Sequence, residues 1–149
     1  MPRIVRFHRL GGPEVLQIDE LPEDQPGPGE ARIKVQAFAL NRADYLYRHD
    51  SHAVKPRLPS RIGYEATGIV EAIGPGVTEV KVGDRVSNVP LGSPDYGVYG
   101  ESALLPAYTL MPVPPHLNIE EATSIWMQYM TAWGGLIAFG QMQAARLLK

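Results

Sequence analysis

The stretch from Arg61 to Val86 constrains this chain most tightly. Ile69, Val70 and Ile73 are β-branched and suit a pleated, half-buried strand. Gly74-Pro75-Gly76 then breaks the run, because Gly admits positive φ and Pro has no backbone donor. Val77, Val80 and Val82 read as a second strand after this turn, and Gly83-Asp84 turns the chain again before Arg85-Val86. The same punctuation recurs elsewhere: 15 Gly and 14 Pro are spread between short apolar runs over 149 residues. Such spacing predicts many short strands joined by turns and argues against a helical bundle. Within the stretch, Gly63-Tyr64-Glu65 is out of character. A carboxylate and a phenol sit at the mouth of an apolar strand, which is costly if they are buried without partners.

Strands are expected elsewhere too. Arg3 to Phe7 is one, Gly11-Gly12-Pro13 turns it, and Glu14 to Glu20 returns. Leu21 to Glu30 is a Pro/Gly loop. Ala31 to Leu40 alternates Ile33, Val35, Ala37 and Ala39 against Arg32, Lys34 and Gln36, the cleanest half-buried strand in the chain. Asn41 can cap a short helix over Ala43 to Arg48. His49 to Ser60 and Leu91 to Gly100 are loops, and Tyr99 to Leu105 and Tyr108 to Val113 form a strand pair. After Pro114-Pro115, Asn118 to Glu121 is a capping-box start. Ala122 to Phe139 carries apolar residues on most faces and is expected as a largely buried helix, with Gly134-Gly135 marking a close contact or a bend. Gln141 to Lys149 is a tail with weak helical character.

Composition narrows the function classes. A net charge of −2 with dispersed charges offers no nucleic-acid or membrane surface. With no Cys, disulfides and thiolate metal sites are excluded. No apolar run is long enough to span a bilayer, and the N-terminus has no long apolar core of a signal peptide, so a cytoplasmic location is expected. Neither a G-x-G-x-x-G turn nor a Walker pattern is present. His49, Asp50 and His52 are too few and too loop-bound to read as a metal site.

A dispersed set of polar residues remains: Asn41, Arg42 and Asp44 after one strand, Tyr64 and Glu65 before another, and Thr131 in the last helix. Each has a structural reading that spacing alone favours. Asn41 is a helix cap, Arg42 a solvated charge, and Asp44 an acidic group in a first helical turn. Tyr64 and Glu65 form a hydrogen-bonded strand end, and Thr131 is a core hydroxyl bonded to its own helix.

Taken together, the motifs resemble the GroES-like catalytic domain of the medium-chain dehydrogenase/reductases, and most of all the zinc-free quinone oxidoreductases and related zinc-type alcohol dehydrogenase-like proteins. The residues that carry this are Gly11 to Leu16, Pro28-Gly29-Glu30, Ala39 to Asp44, Gly63 to Gly68, Val82 to Val86, Tyr99-Gly100-Glu101 and Thr131-Ala132-Trp133, in family order and across almost the whole chain. The resemblance implies a mainly β, partly open barrel over residues 1–117. Residues 118–149 would then be a helix leading into a nucleotide-binding Rossmann domain that this chain lacks.

Function is likewise implied by the resemblance. Zinc-bearing members carry Cys, His and Cys where this chain has Asn41, Tyr64 and Met127, so no zinc is expected. A hydroxyl that relays the alcohol proton is replaced by Ala43, which argues against zinc-type alcohol oxidation. The expected activity is hydride transfer from NADP or NAD, with NADPH favoured, to a quinone or enone. Asn41 would contact the nicotinamide ribose or the substrate carbonyl, Arg42 the pyrophosphate and Thr131 the nicotinamide side. Tyr64 would line the acceptor pocket, and Asp44 and Glu65 would orient the groups around it. A pocket Tyr common in the branch is Leu46 here, and His52 falls near another common pocket aromatic. With the nucleotide-binding half missing, the isolated chain is expected to bind cofactor weakly, to be inactive alone and to self-associate. The alternatives are an alcohol dehydrogenase of the same family and a truncated, non-enzymatic GroES-like module that binds a partner.

Overall fold

The computed structural model describes residues 1–143; the remainder of the tail expected to be weakly helical, residues 144–149, lies outside the described part. Two antiparallel sheets carry the fold. In the smaller, β1 (Arg3–Phe7) lies between β2 (Leu16–Glu20) and β4 (Ser60–Arg61). The larger has the order β7-β3-β5-β6-β8, with β3 (Glu30–Ala39), β5 (Glu65–Ile73), β6 (Arg85–Asn88), β7 (Ser102–Pro106) and β8 (Leu110–Pro112). A single bridge, Ile4 to Gly100, ties the two sheets without closing them. Gly100 is required there: its φ is +150°, and a Cβ would stand 2.7 Å from the Arg3 carbonyl oxygen. The partly open barrel expected from the motifs is therefore present. Its core is built on Phe7, Ile33, Val70, Val86 and Leu105, all essentially inaccessible.

The structure revises several local expectations. Glu14 and Val15 belong to a 3-10 turn over Pro13–Val15, which starts on Pro and buries Val15, so the returning strand begins at Leu16. The expected alternation of β3 holds along its length, but the inward side chains become less deeply buried toward its end. Ala31 and Ile33 are buried, Val35, Ala37 and Ala39 are half-buried after the register against β5 shifts between Val35 and Ala37, and Phe38 on the outward side is 39% exposed. Residues 77–82 are not a strand. Val80 is buried and Val77 packs on the core, a spacing of three that a period-two strand would place on opposite faces. The second strand of the hairpin is β6, paired through Thr67–Ser87 and Gly68–Val86. The later strands start at Ser102 and Leu110, separated by a 3-10 turn at Ala107–Thr109.

The long buried helix is not formed. The expected capping box does start α2 (Ile119–Thr123): Glu121 N–H donates to Asn118 Oδ1 at 2.8 Å, and Asn118 N–H to Glu121 Oε2 at 2.9 Å. The Ser124 hydroxyl then reaches back to the Glu120 and Glu121 carbonyls, at 3.1 and 3.2 Å, and α2 stops. A separate α3 (Trp126–Trp133) follows and widens into a π turn at Gly134–Ala138. No residue of α3 is buried, and Tyr129, Trp133 and Phe139 are 69%, 60% and 87% exposed. Trp126 and Met127 at its start rest on the barrel, but the apolar residues from Tyr129 to Phe139 form an uncovered surface. Gly135 has nothing within 4 Å of a would-be Cβ, so the Gly pair marks a change of helical pitch and not a close contact.

Candidate active site

The end of β3 and the start of β5 lie side by side, with Ala39 opposite Glu65. This pairing brings the first part of the dispersed set together. Asn41 is extended (φ −122°), and α1 (Arg42–Arg48) begins immediately after it. The Asp44 carboxylate turns back to accept the Asn41 N–H at 2.7 Å, closing the helix start. The Asn41 side chain points elsewhere, its Nδ2 donating to Glu65 Oε2 at 3.3 Å.

Asp44 is buried, and its Oδ2 also accepts the Tyr99 hydroxyl at 2.7 Å. Its Oδ1 has no partner. Burial pushes the Asp44 pKa up; the Tyr99 and Asn41 bonds oppose this, and the nearby Glu65 charge adds to it. The Tyr99 phenol is raised as well, by burial and by Asp44. Its ring is admitted by Gly63, which has φ +103° and whose Cβ would meet Tyr99 Cδ1 at 2.2 Å.

Glu65 is 1% exposed and bridges two walls. Besides Asn41 it accepts the Met127 N–H at 3.1 Å through Oε1. Ile125, at the N-cap of α3, has no side-chain acceptor, so a carboxylate from β5 satisfies a first-turn N–H of that helix from outside. Tyr64 is buried beside Glu65, and burial pushes its phenol up to about 12, with smaller contributions from Tyr47 and Asp44. Its hydroxyl lies 3.3 Å from His52 Nδ1.

Asn88, which sequence reasoning missed, sets the direction of Tyr64 and Glu65. The β5–β6 ladder ends at Thr67–Ser87, and the Asn88 side chain supplies the next rung. Its Oδ1 accepts the Ala66 N–H at 2.8 Å, and its Nδ2 donates to the Tyr64 carbonyl at 2.8 Å. Both neighbours of Glu65 are thereby fixed. The only signal was an Asn, disfavoured in strands, closing the run Arg85-Val86-Ser87.

A cleft of about 370 Å³ opens where α1 and α3 face each other, with Asn41, Arg42, Leu46, His52, Met127 and Thr131 in its walls. Tyr64, Asp44 and Glu65 stand behind this surface. The Arg42 guanidinium sits 4.6 Å over the Tyr45 ring and, among the described residues, makes no ion pair. Thr131 donates to the Met127 carbonyl at 2.6 Å, bonded to its own helix as expected but exposed and not in the core. His49 and His52 do not converge: His49 Nδ1 turns to the Tyr45 carbonyl, and Asp50 pairs with Lys55 at 3.1 Å. Among the described residues no three His, Cys, Asp or Glu come together as a metal-binding group.

An open, two-sheet antiparallel barrel that aims the start of one helix and one strand end at a cleft below a second helix has the architecture of a GroES-like domain. The residue pattern of the alcohol dehydrogenase GroES-like domain family matches residues 27–115. The chain belongs to that family, within the medium-chain dehydrogenase/reductases, and is quinone oxidoreductase-like. It is 37% identical over 133 residues to a quinone oxidoreductase of Pseudomonas aeruginosa, covering 88% of this chain and 39% of that protein. A solved quinone oxidoreductase of Pseudomonas syringae superposes with TM-score 0.84 at 34% identity, over 97% of this chain and 42% of that one. The Escherichia coli quinone oxidoreductase solved with NADPH gives TM-score 0.80 at 30% identity, over 91% and 40%. The chain thus spans about two fifths of the length of the relatives it matches.

Proposed function

We propose that this chain is the substrate-side domain of an NAD(P)H-dependent oxidoreductase that reduces quinones or conjugated carbonyls without zinc. The observation that carries the reading is the cleft itself. Residues far apart in sequence, Asn41, Arg42 and Thr131, share its walls, and a buried carboxylate, Glu65, ties both sides together. Similarity to a quinone oxidoreductase solved with NADPH supports the choice of cofactor and favours NADPH.

The residues fit one end of such a cofactor. About 370 Å³ accommodates a ring-sized group and not a whole dinucleotide, so the nicotinamide end is the part this domain contacts. Bound NAD(P)H supplies a hydride. With Nδ2 committed to Glu65, Asn41 keeps Oδ1 free to accept from a ribose hydroxyl. Thr131, its proton donated to Met127, presents lone pairs to the carboxamide side. The unpaired Arg42 guanidinium suits pyrophosphate. Asp44 holds the Asn41 backbone, Glu65 holds its amide, and Tyr64 backs the pocket through His52. Residues 1–117 form the substrate domain in this reading, and residues 118–149 lead toward the nucleotide-binding part.

Zinc does not fit here. The positions that carry its ligands in zinc-bearing relatives hold an amide, a phenol raised to about 12 and a thioether, whereas zinc takes thiolate, imidazole or carboxylate. A quinone or enone accepts hydride without strong Lewis-acid polarisation, so positioning and exclusion of water carry the chemistry. The uncovered apolar residues of α3 and its π turn drive self-association of residues 1–149. The test is NADPH oxidation, with a panel of quinones, enones and simple alcohols, by this chain joined to a nucleotide-binding domain, since residues 1–149 alone are expected to bind the cofactor weakly. Reduction of the first two classes, with no alcohol oxidation and no response to chelators, is expected; zinc-dependent alcohol oxidation would refute the reading.

A further inference from the structure

We propose that His52 is the hydrogen-bond donor to the carbonyl oxygen of the acceptor, an inference that rests on the oxidoreductase reading above. Two donors converge on one ring nitrogen: Val54 N–H and the Tyr64 hydroxyl each stand 3.3 Å from His52 Nδ1. An amide N–H cannot accept, so Nδ1 must be the bare nitrogen, and the neutral ring carries its proton on Nε2. Both of the ring's contacts are thus made by Nδ1. His52 also lines the cleft, so the edge left for a bound molecule is Nε2–H.

The remaining polar groups of the cleft leave this task open. Asn41 Nδ2 is on Glu65, and the Thr131 proton is on the Met127 carbonyl. Gln128 is exposed and held by no hydrogen bond among the described residues, and the Arg42 guanidinium is assigned to the pyrophosphate in the reading above. His52 is half-buried and held from behind by a buried phenol that Asn88 fixes through the Tyr64 carbonyl. A neutral imidazole N–H held in one orientation is a preorganised donor for the oxygen on which negative charge develops. In the step it serves, hydride adds to the conjugated acceptor and its electron pair moves onto the carbonyl oxygen. The nicotinamide is oxidised, the Nε2–H bond to that oxygen shortens, and water delivers the proton. His52 itself neither gains nor loses a proton.

The first test needs no turnover. In the 15N-histidine-labelled chain, His52 should show a bare Nδ1 and a protonated Nε2 at neutral pH. Adding 2-cyclohexen-1-one should move the Nε2–H resonance, and Tyr64→Phe should increase the share of the other tautomer. A protonated Nδ1, or a ligand that shifts other cleft residues and leaves His52 still, would overturn the proposal. The second test is the NADPH-dependent reduction by the chain joined to a nucleotide-binding domain. His52→Phe, which keeps a ring but has no N–H, should lower kcat/KM for the carbonyl acceptor roughly 100-fold. KM for NADPH should stay unchanged, and His52→Gln should recover part of the loss. Full activity of His52→Phe would refute the donor role and leave the oxidoreductase reading standing. If the wild-type chain joined to a nucleotide-binding domain reduces no acceptor, that reading fails, and the nitrogen resonances with cyclohexenone still decide whether His52 is a carbonyl donor.

Discussion

Removing the Asn88 side chain should unfasten the site at its base. Asn88 is 1% exposed and satisfies two buried backbone groups on either side of Glu65, the Ala66 N–H and the Tyr64 carbonyl, both at 2.8 Å. Asn88→Ala leaves both unpaired in a space too enclosed for easy hydration. Each orphaned group costs about 1–3 kcal/mol, so about 2–6 kcal/mol of stability should be lost. That is a large share of the ~5–15 kcal/mol typical of a domain. Urea unfolding followed by far-UV circular dichroism reads the change as a lower midpoint at constant slope. Asn88→Asp separates the two bonds. Its carboxylate still accepts from Ala66 but faces the Tyr64 carbonyl with no proton to give, so it should be destabilised at pH 7 and partly rescued on acidification, when a protonated carboxyl can donate again. An Asn88→Ala protein within about 0.5 kcal/mol of wild type, the ordinary range for inconsequential surface changes, would refute the assignment of Asn88 as the missing rung.

Other outcomes follow from the same geometry. Gly63→Ala combines a left-handed backbone with a Cβ driven into the Tyr99 ring, and should cost about 2–5 kcal/mol in thermal or urea unfolding. Asp44 has its pKa raised in the fold, so its contribution to stability is fully present below the unfolded value near 3.8 and is lost as pH rises through the folded value. Stability relative to Asp44→Asn should therefore fall between about pH 4 and neutrality; melting temperatures of the two proteins that stay parallel across this range would count against the raised carboxyl. Light scattering of Trp133→Glu/Phe139→Asp should show less self-association than wild type, since both side chains lie mainly in solvent.

The barrel was legible because its signals are local. The branched residues of β5 and the Gly-Pro-Gly break lie within a few positions of each other, and the Asn118–Glu121 box needs only four residues. The helix after it was misread because an apolar surface and an apolar core share one sequence pattern. Whether Trp133 is covered depends on what packs there, and nothing in residues 122–139 encodes that. Val77 and Val80 failed similarly: β-branching suggested a strand, while tertiary packing turned both toward the core at a spacing that a period-two strand would place on opposite faces. At the site, resemblance picked out Asn41, Tyr64 and Glu65 as a group. It could not show that the Asn41 amide leaves its own helix for Glu65, that Glu65 caps α3, or that Tyr64 sits behind His52, because each depends on contacts 12 to 62 positions apart in sequence. Asn88 and Tyr99 escaped for the same reason, each acting through a residue on another strand or helix.

The central claim is that the cleft between α1 and α3 receives the nicotinamide end of the cofactor. Titrating the 15N-labelled chain with reduced nicotinamide mononucleotide tests it directly, because that half-molecule needs no second domain. The amide signals of Asn41, Arg42, Met127 and Thr131 should shift together along one saturation curve. Shifts confined to another surface, such as the groove beside His116 and Tyr129, or no shift in the cleft at millimolar ligand, would contradict the account.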